Sequence, residues 1–84
     1  MIVLLALASS ASAAKYYRLR VYYGSGDGYY KKNTWVSISA EAAPSGKVFD
    51  RWDGTDTGRL SDRYSASTSY KMPKKYATLT ATYK

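Results

Sequence analysis

Four aspartates, Asp50, Asp53, Asp56 and Asp62, fall in one polar stretch and are interleaved with Arg51, Arg59 and Arg63. Two chemistries use carboxylates brought together in this way. A pair of them can act as general acid and base, as in glycoside hydrolysis, and several oxygens in one loop can hold calcium. Their spacing matches no EF-hand loop, and the interleaved arginines favour turn and surface ion-pair roles. The chain has neither histidine nor cysteine, so the commonest general base, the commonest metal ligand and any thiolate site are missing. The glycine-rich "GSGDG", Gly24 to Gly28, lies between two strand-like runs. It therefore lacks the helix N-terminus that a phosphate-binding loop needs, and reads as a hairpin turn. No catalytic, cofactor-binding or metal-binding residue is assigned on these grounds, and the chain is expected not to be an enzyme.

A second group of residues points to surface chemistry. Between Tyr16 and Tyr23 alternation puts Tyr17, Leu19, Val21 and Tyr23 on one face and Tyr16, Arg18, Arg20 and Tyr22 on the other. The outer row alternates aromatic and guanidinium groups, and Trp35 projects to the solvent side of its own strand if Val36 points inward. Tyr16, Arg18, Arg20, Tyr22 and Trp35 form the candidate interaction face, able to stack sugars or bases or to cover another protein. The alternative is a solvated strand face on which arginines pack across tyrosine rings.

The elements that must position these groups are strands. "TWVSISAEA" alternates Val36, Ile38, Ala40 and Ala42 against Trp35, Ser37, Ser39 and Glu41, and "APSG", Ala43 to Gly46, ends it. Phe49 and Trp52 are three apart, a spacing that predicts a bulge, a bend or one helical turn bringing both rings inward. Thr55 to Ser67 is polar and carries Gly58, and reads as a long exposed loop with room for a short edge strand. "TSYKM" then alternates Thr68, Tyr70 and Met72 against Ser69 and Lys71, and Pro73 with Lys74 and Lys75 makes the last turn. In "ATLTATYK", Ala77, Leu79, Ala81 and Tyr83 face one way and a threonine row faces solvent. The fold expected is a mainly β, small antiparallel sheet domain of five to six short strands, with little or no helix after the N-terminal segment.

The chain is 84 residues long, with 13 Lys and Arg against 6 Asp and Glu, for a net charge of +7. No basic run exceeds two residues, so the charge is spread over the strands and weakly favours polyanionic partners. Residues 1–14, "MIVLLALASSASAA", form a short apolar run followed by small residues. Ala11-Ser12-Ala13 fits the cleavage rule of an export signal, and Ser12-Ala13-Ala14 is the shifted alternative. The run is too short to span a bilayer, which takes roughly 20 residues, and no Lys or Arg precedes it. Two other readings stand: a buried core segment, and an uncleaved apolar arm packed into a neighbouring subunit. Residues 15–84 are then a single β-rich domain, of a size at which one core is only marginally sufficient.

Two motifs in order carry a resemblance. Gly46, Phe49, Trp52 and Gly54 make a G-x-x-F-x-x-W-x-G stretch, and Met72-Pro73 is followed by an alternating last strand through Leu79 to Tyr83. Over roughly residues 18 to 84 the chain resembles the divergent InlB B-repeat family, a bacterial cell-surface repeat module. The resemblance implies a small module of β-grasp-like character in an extracellular setting, serving as spacer, adhesion or interaction unit, with Phe49, Trp52, Met72, Pro73, Leu79 and Tyr83 as its structural core motif. The partners implied are a protein or a cell-surface polysaccharide or other polyanion, not nucleic acid. The chain departs from the family in being a lone copy and in its tyrosine content. A lone copy leaves a piece of a longer repeat protein, a stand-alone module or a subunit that self-associates into a filament.

Overall fold

The computed structural model describes residues 15–84, and the expected export signal or apolar arm at residues 1–14 lies outside the described residues. Strand β1, Tyr17–Tyr22, is followed by β2, Gly24–Ser25, and β3, Gly28–Tyr30. Then come β4, Trp35–Ala40, β5, Phe49–Gly54, a single 3-10 turn at Thr57–Arg59, β6, Ser67–Lys71, and β7, Ala77–Tyr83. They form two sheets, one ordered β3-β1-β7-β5 and the other β2-β4-β6. The fold is thus the expected small β domain. It has seven strands rather than five or six, and one pairing is not antiparallel: β1 and β7 run parallel, with Val21 opposite Leu79. Between them the chain alternates between the sheets, with β2, β4 and β6 in one and β3 and β5 in the other, and this long connection lets β7 return parallel beside β1.

Tyr23 explains how one run of sequence feeds two sheets. Alternation placed it in the core, yet it is 63% exposed. Its φ of 59 takes the backbone into the left-handed region between β1 and β2. One such residue breaks the period of two and turns the chain out of the first sheet into the second. The hairpin expected of "GSGDG" does form, since β3 pairs antiparallel with β1, but Gly24 and Ser25 detour to pair with Ala40 and Ser39 on β4. The Asp27 carboxylate accepts from the Val21 amide at 3.1 Å, and the Tyr30 hydroxyl donates to the Gly26 carbonyl at 2.8 Å. The loop is closed by side chains where the backbone ladder stops.

Leu19, Val21, Val36, Ile38, Trp52, Leu60, Tyr70, Met72, Ala77, Leu79 and Ala81 make one buried cluster between the sheets, with Tyr17, Tyr30, Ala40, Phe49 and Tyr83 packed at its margin. Ala42, expected on the inner side of its strand, is exposed and lies beyond the end of β4. The bulge predicted between Phe49 and Trp52 is present: register shifts between Phe49 and Arg51, and the two rings stand 5.8 Å apart. The Thr82 hydroxyl serves the displaced backbone, accepting from the Arg51 amide and donating to the Arg51 carbonyl. Gly54 ends β5 at a φ of +135, and a side chain there would run into the Thr78 carbonyl oxygen. At Gly24 a side chain would meet the edge of the Trp52 ring and the Ser39 carbonyl, so a bare backbone is what lets Trp52 reach across to the second sheet.

The stretch from Thr55 to Ser67 makes the short edge pairing that the sequence left room for. It is not a free loop: Leu60 is buried and bridges Tyr70, and the Ser61 amide donates to the Ser69 carbonyl at 2.8 Å. That contact covers the outer edge of β6. The edge of β5 is covered in turn by Arg63, whose carbonyl accepts from the Trp52 amide and whose guanidinium donates to the Trp52 carbonyl. An isolated apolar residue such as Leu60 carries no periodic signal, which is why a polar stretch hides it.

Candidate interaction face

Along β1 and at Tyr16 just before it, the side chains of Tyr16, Arg18, Arg20 and Tyr22 fall on the outer side of the four-stranded sheet, because Leu19 and Val21 are drawn into the core. Neighbouring strands extend the row. Tyr29 stands opposite Arg18 on β3, and Thr78 and Thr80 stand beside Arg20 and Tyr22 on β7. Three cations lie over three rings: the Arg18 guanidinium 5.4 Å from the Tyr29 centroid, that of Arg20 5.2 Å from Tyr22, and the Lys31 ammonium 5.8 Å from Tyr16. Each such contact stabilises by about 0.5–1 kcal/mol at an exposed site. Arg18 also donates to the Tyr29 hydroxyl at 3.3 Å. The rings remain largely exposed, Tyr16 by 57% and Tyr29 by 62%. The row therefore has arginines packed across tyrosines and rings still open to solvent.

Trp35 does not join the row. It lies on β4, in the other sheet, directly opposite Lys71, whose ammonium sits 6.0 Å from its ring centroid. The two sheets share one core, so their outer faces look away from each other and Trp35 is on the far side of the domain. Tyr29 and Lys31, in contrast, belong to the row and were missed. Pairing β3 against β1 through the glycine turn would have placed them, since alternation on one strand fixes its partner's faces.

The aspartates are spoken for. Asp53 accepts from Arg63 at 2.6 Å and lies 3.6 Å from Arg51; Asp56 pairs with Lys75 and Asp50 with Lys84. Asp62 accepts from the Tyr64 amide. These are the turn and ion-pair roles expected of them, and no group of three metal-ligating side chains occurs among the described residues. No helix among them is long and apolar enough to cross a membrane.

The residues of the core motif occupy its two structural jobs. Trp52, Met72 and Leu79 are fully buried, and Pro73 is buried behind Met72. The Trp52 indole N–H donates to the Ser65 carbonyl at 3.0 Å. Phe49 packs edge-on against Tyr83 at 6.1 Å, and the Tyr83 hydroxyl donates to the Glu41 carbonyl at 2.7 Å, tying the last strand to the end of β4. Gly46 lies in the turn that precedes β5, and Gly54 ends that strand.

No curated protein and no solved structure matches the chain significantly. The profile of the divergent InlB B-repeat domain matches residues 21–84. That family is one of repeat modules associated with bacterial cell-surface proteins and is typically structural. Over these residues, which include both motifs, the last two residues of β1 and every later strand, the chain belongs to the divergent InlB B-repeat family.

Proposed function

We propose that this protein is a secreted, non-catalytic interaction module of a bacterial cell surface, of the adhesion or spacer kind, working through the outer face of its four-stranded sheet. The observation that carries the reading is the row of three cation–ring pairs on β1 and β3. A row of rings oriented by packed cations loses little side-chain freedom when a partner covers it, which is what an interaction surface requires. Binding of the labelled chain to bacterial cells or purified surface material tests it. Replacing Tyr16 and Tyr22 by alanine lowers binding by roughly thirtyfold, since exposed aromatic anchors each contribute on the order of 1 kcal/mol, and leaves the far-UV circular dichroism unchanged. Undiminished binding by that variant refutes the reading.

The second reading, a subunit of an extracellular filament, has less support in the strand edges. Those of β5 and β6 are covered, and the remaining edge strands β3 and β2 are three and two residues long. Short edges are a common guard against strand addition. A monomeric particle in sedimentation velocity is expected, and a polymer would favour the filament.

A further inference from the structure

At the N-terminal end of β1, where the row begins, lies a cleft of about 360 Å³ lined by Lys15, Tyr17, Lys31, Lys32 and Lys74. The sequence brings these lysines from three separate segments, and only the fold gathers them. None of the four lies within ion-pair distance of an Asp or Glu among the described residues, whereas neighbouring Lys75 is held by Asp56 at 3.3 Å. Residues 1–14 contain no acid either. Four ammonium groups around one cleft repel each other, and the arrangement is held by the backbone beneath. The Asn33 amide donates to the Met72 carbonyl at 2.7 Å, and the Met72 amide returns a bond to the Thr34 carbonyl at 2.8 Å. Arg59 then clamps both walls, donating to the carbonyls of Lys71 and Met72 and to Asn33 Oδ1. The turn bearing Lys31 and Lys32 is thereby fixed against the turn bearing Lys74.

From this geometry we infer that the cleft is the seat of an anionic polysaccharide, a chain whose sugar units carry carboxylate or sulfate groups. The inference rests on the interaction reading above and names its ligand class. Lysines are compact charges on flexible stems and suit acidic groups at variable positions along a polymer. The Tyr17 ring in the cleft wall and the Tyr16 ring under Lys31 offer apolar faces for the C–H sides of sugars. The volume is at the small end of the roughly 300–1,000 Å³ of ligand clefts, enough for part of a polymer. Lys31 belongs to both the cleft and the row, so the rest of the polymer has a path along Arg18 and Arg20. At about 3.3 Å per residue that path is roughly 20 Å long.

The test measures the full chain at 0.15 M salt on immobilised polygalacturonate, dextran sulfate and neutral dextran, with duplex DNA as a fourth surface. The cleft variant combines Lys31→Gln, Lys32→Gln and Lys74→Gln; the control combines Lys47→Gln, Lys75→Gln and Lys84→Gln, with the same change in net charge. Each exposed charge contact is expected to change affinity about 1.5- to 5-fold. The cleft variant therefore loses about 3- to 100-fold on at least one acidic glycan, the control clearly less, and neutral dextran is not bound. The two acidic surfaces separate carboxylate from sulfate recognition. Equal losses in the two variants, binding to dextran, DNA binding with the same loss, or no binding to either acidic glycan overturns the inference. If glycan binding is absent while cells are still bound in a manner that depends on Tyr16 and Tyr22, the cleft assignment fails alone; if both are absent, the interaction reading fails with it.

Discussion

Replacing Tyr70 by phenylalanine removes one oxygen from the centre of the domain and gives a stability change whose sign depends on pH. The ring is fully buried and its hydroxyl donates to the Thr55 carbonyl at 2.7 Å. Burial, reinforced by the Asp56 carboxylate and partly opposed by Arg59, pushes the phenol up from 10.0 to about 12. Near pH 7 the variant loses a hydrogen bond and leaves a carbonyl poorly served, a cost of about 1 kcal/mol. With the folded value raised, the stability linked to the neutral phenol is fully present below pH 10 and is lost as pH rises toward 12. The wild type then gives up roughly 1 kcal/mol by pH 11 and roughly 2 by pH 12. Phenylalanine escapes that loss. Urea denaturation at intervals from pH 7 to 12 should show the variant weaker at neutral pH, the curves crossing near pH 11, and the wild type weaker beyond. Parallel curves across the whole range would refute the argument that the folded domain holds this phenol neutral.

Other substitutions probe the rest of the design. A domain of this size is stable by about 4–10 kcal/mol, so Trp52→Ala, expected to cost about 3–5 kcal/mol, should leave much of the chain unfolded by near-UV circular dichroism at 37 °C. Gly54→Ala meets both a disfavoured φ and the Thr78 carbonyl; it should cost about 3 kcal/mol or more, against a few tenths for Gly58→Ala in the open turn that follows. Arg63→Ala uncovers the Trp52 carbonyl at the β5 edge and should cost about 1 kcal/mol, a fall of roughly 4–8 °C in melting temperature. Asp53→Asn, which touches only the half-exposed ion pair, should shift it far less. If residues 1–14 are an export signal, intact-mass spectrometry of protein secreted by a bacterial host should show the chain beginning at Ala14 or Lys15; recovery of the full-length chain would favour an uncleaved arm.

Much of the sheet architecture was legible because a period of two needs only neighbours in sequence. Leu19, Val21, Val36, Ile38, Tyr70, Met72, Ala77, Leu79 and Ala81 all point inward as alternation requires. The three-residue spacing of Phe49 and Trp52 announced its bulge in the same way. Alternation fails where the backbone leaves the extended region, and it does so at Tyr23, whose outward ring follows from one positive φ. It is also silent about isolated contacts, so Leu60, Arg59 and Arg63, each placed by a partner far along the chain, were read as loop.

The doubled tyrosines around the glycine turn show where the division lies. On a strand, adjacent side chains must take opposite faces, so sequence alone determined that Tyr16 and Tyr22 flank two arginines outside while Tyr17 turns toward the core. Which strands lie beside that row is a matter of pairing between distant segments. Only the tertiary structure brought Tyr29 opposite Arg18, sent Trp35 to the far side and gathered Lys15, Lys31, Lys32 and Lys74 around one cleft. Local sterics write the face of each residue into the order of the chain, whereas the company it keeps depends on which strands find one another.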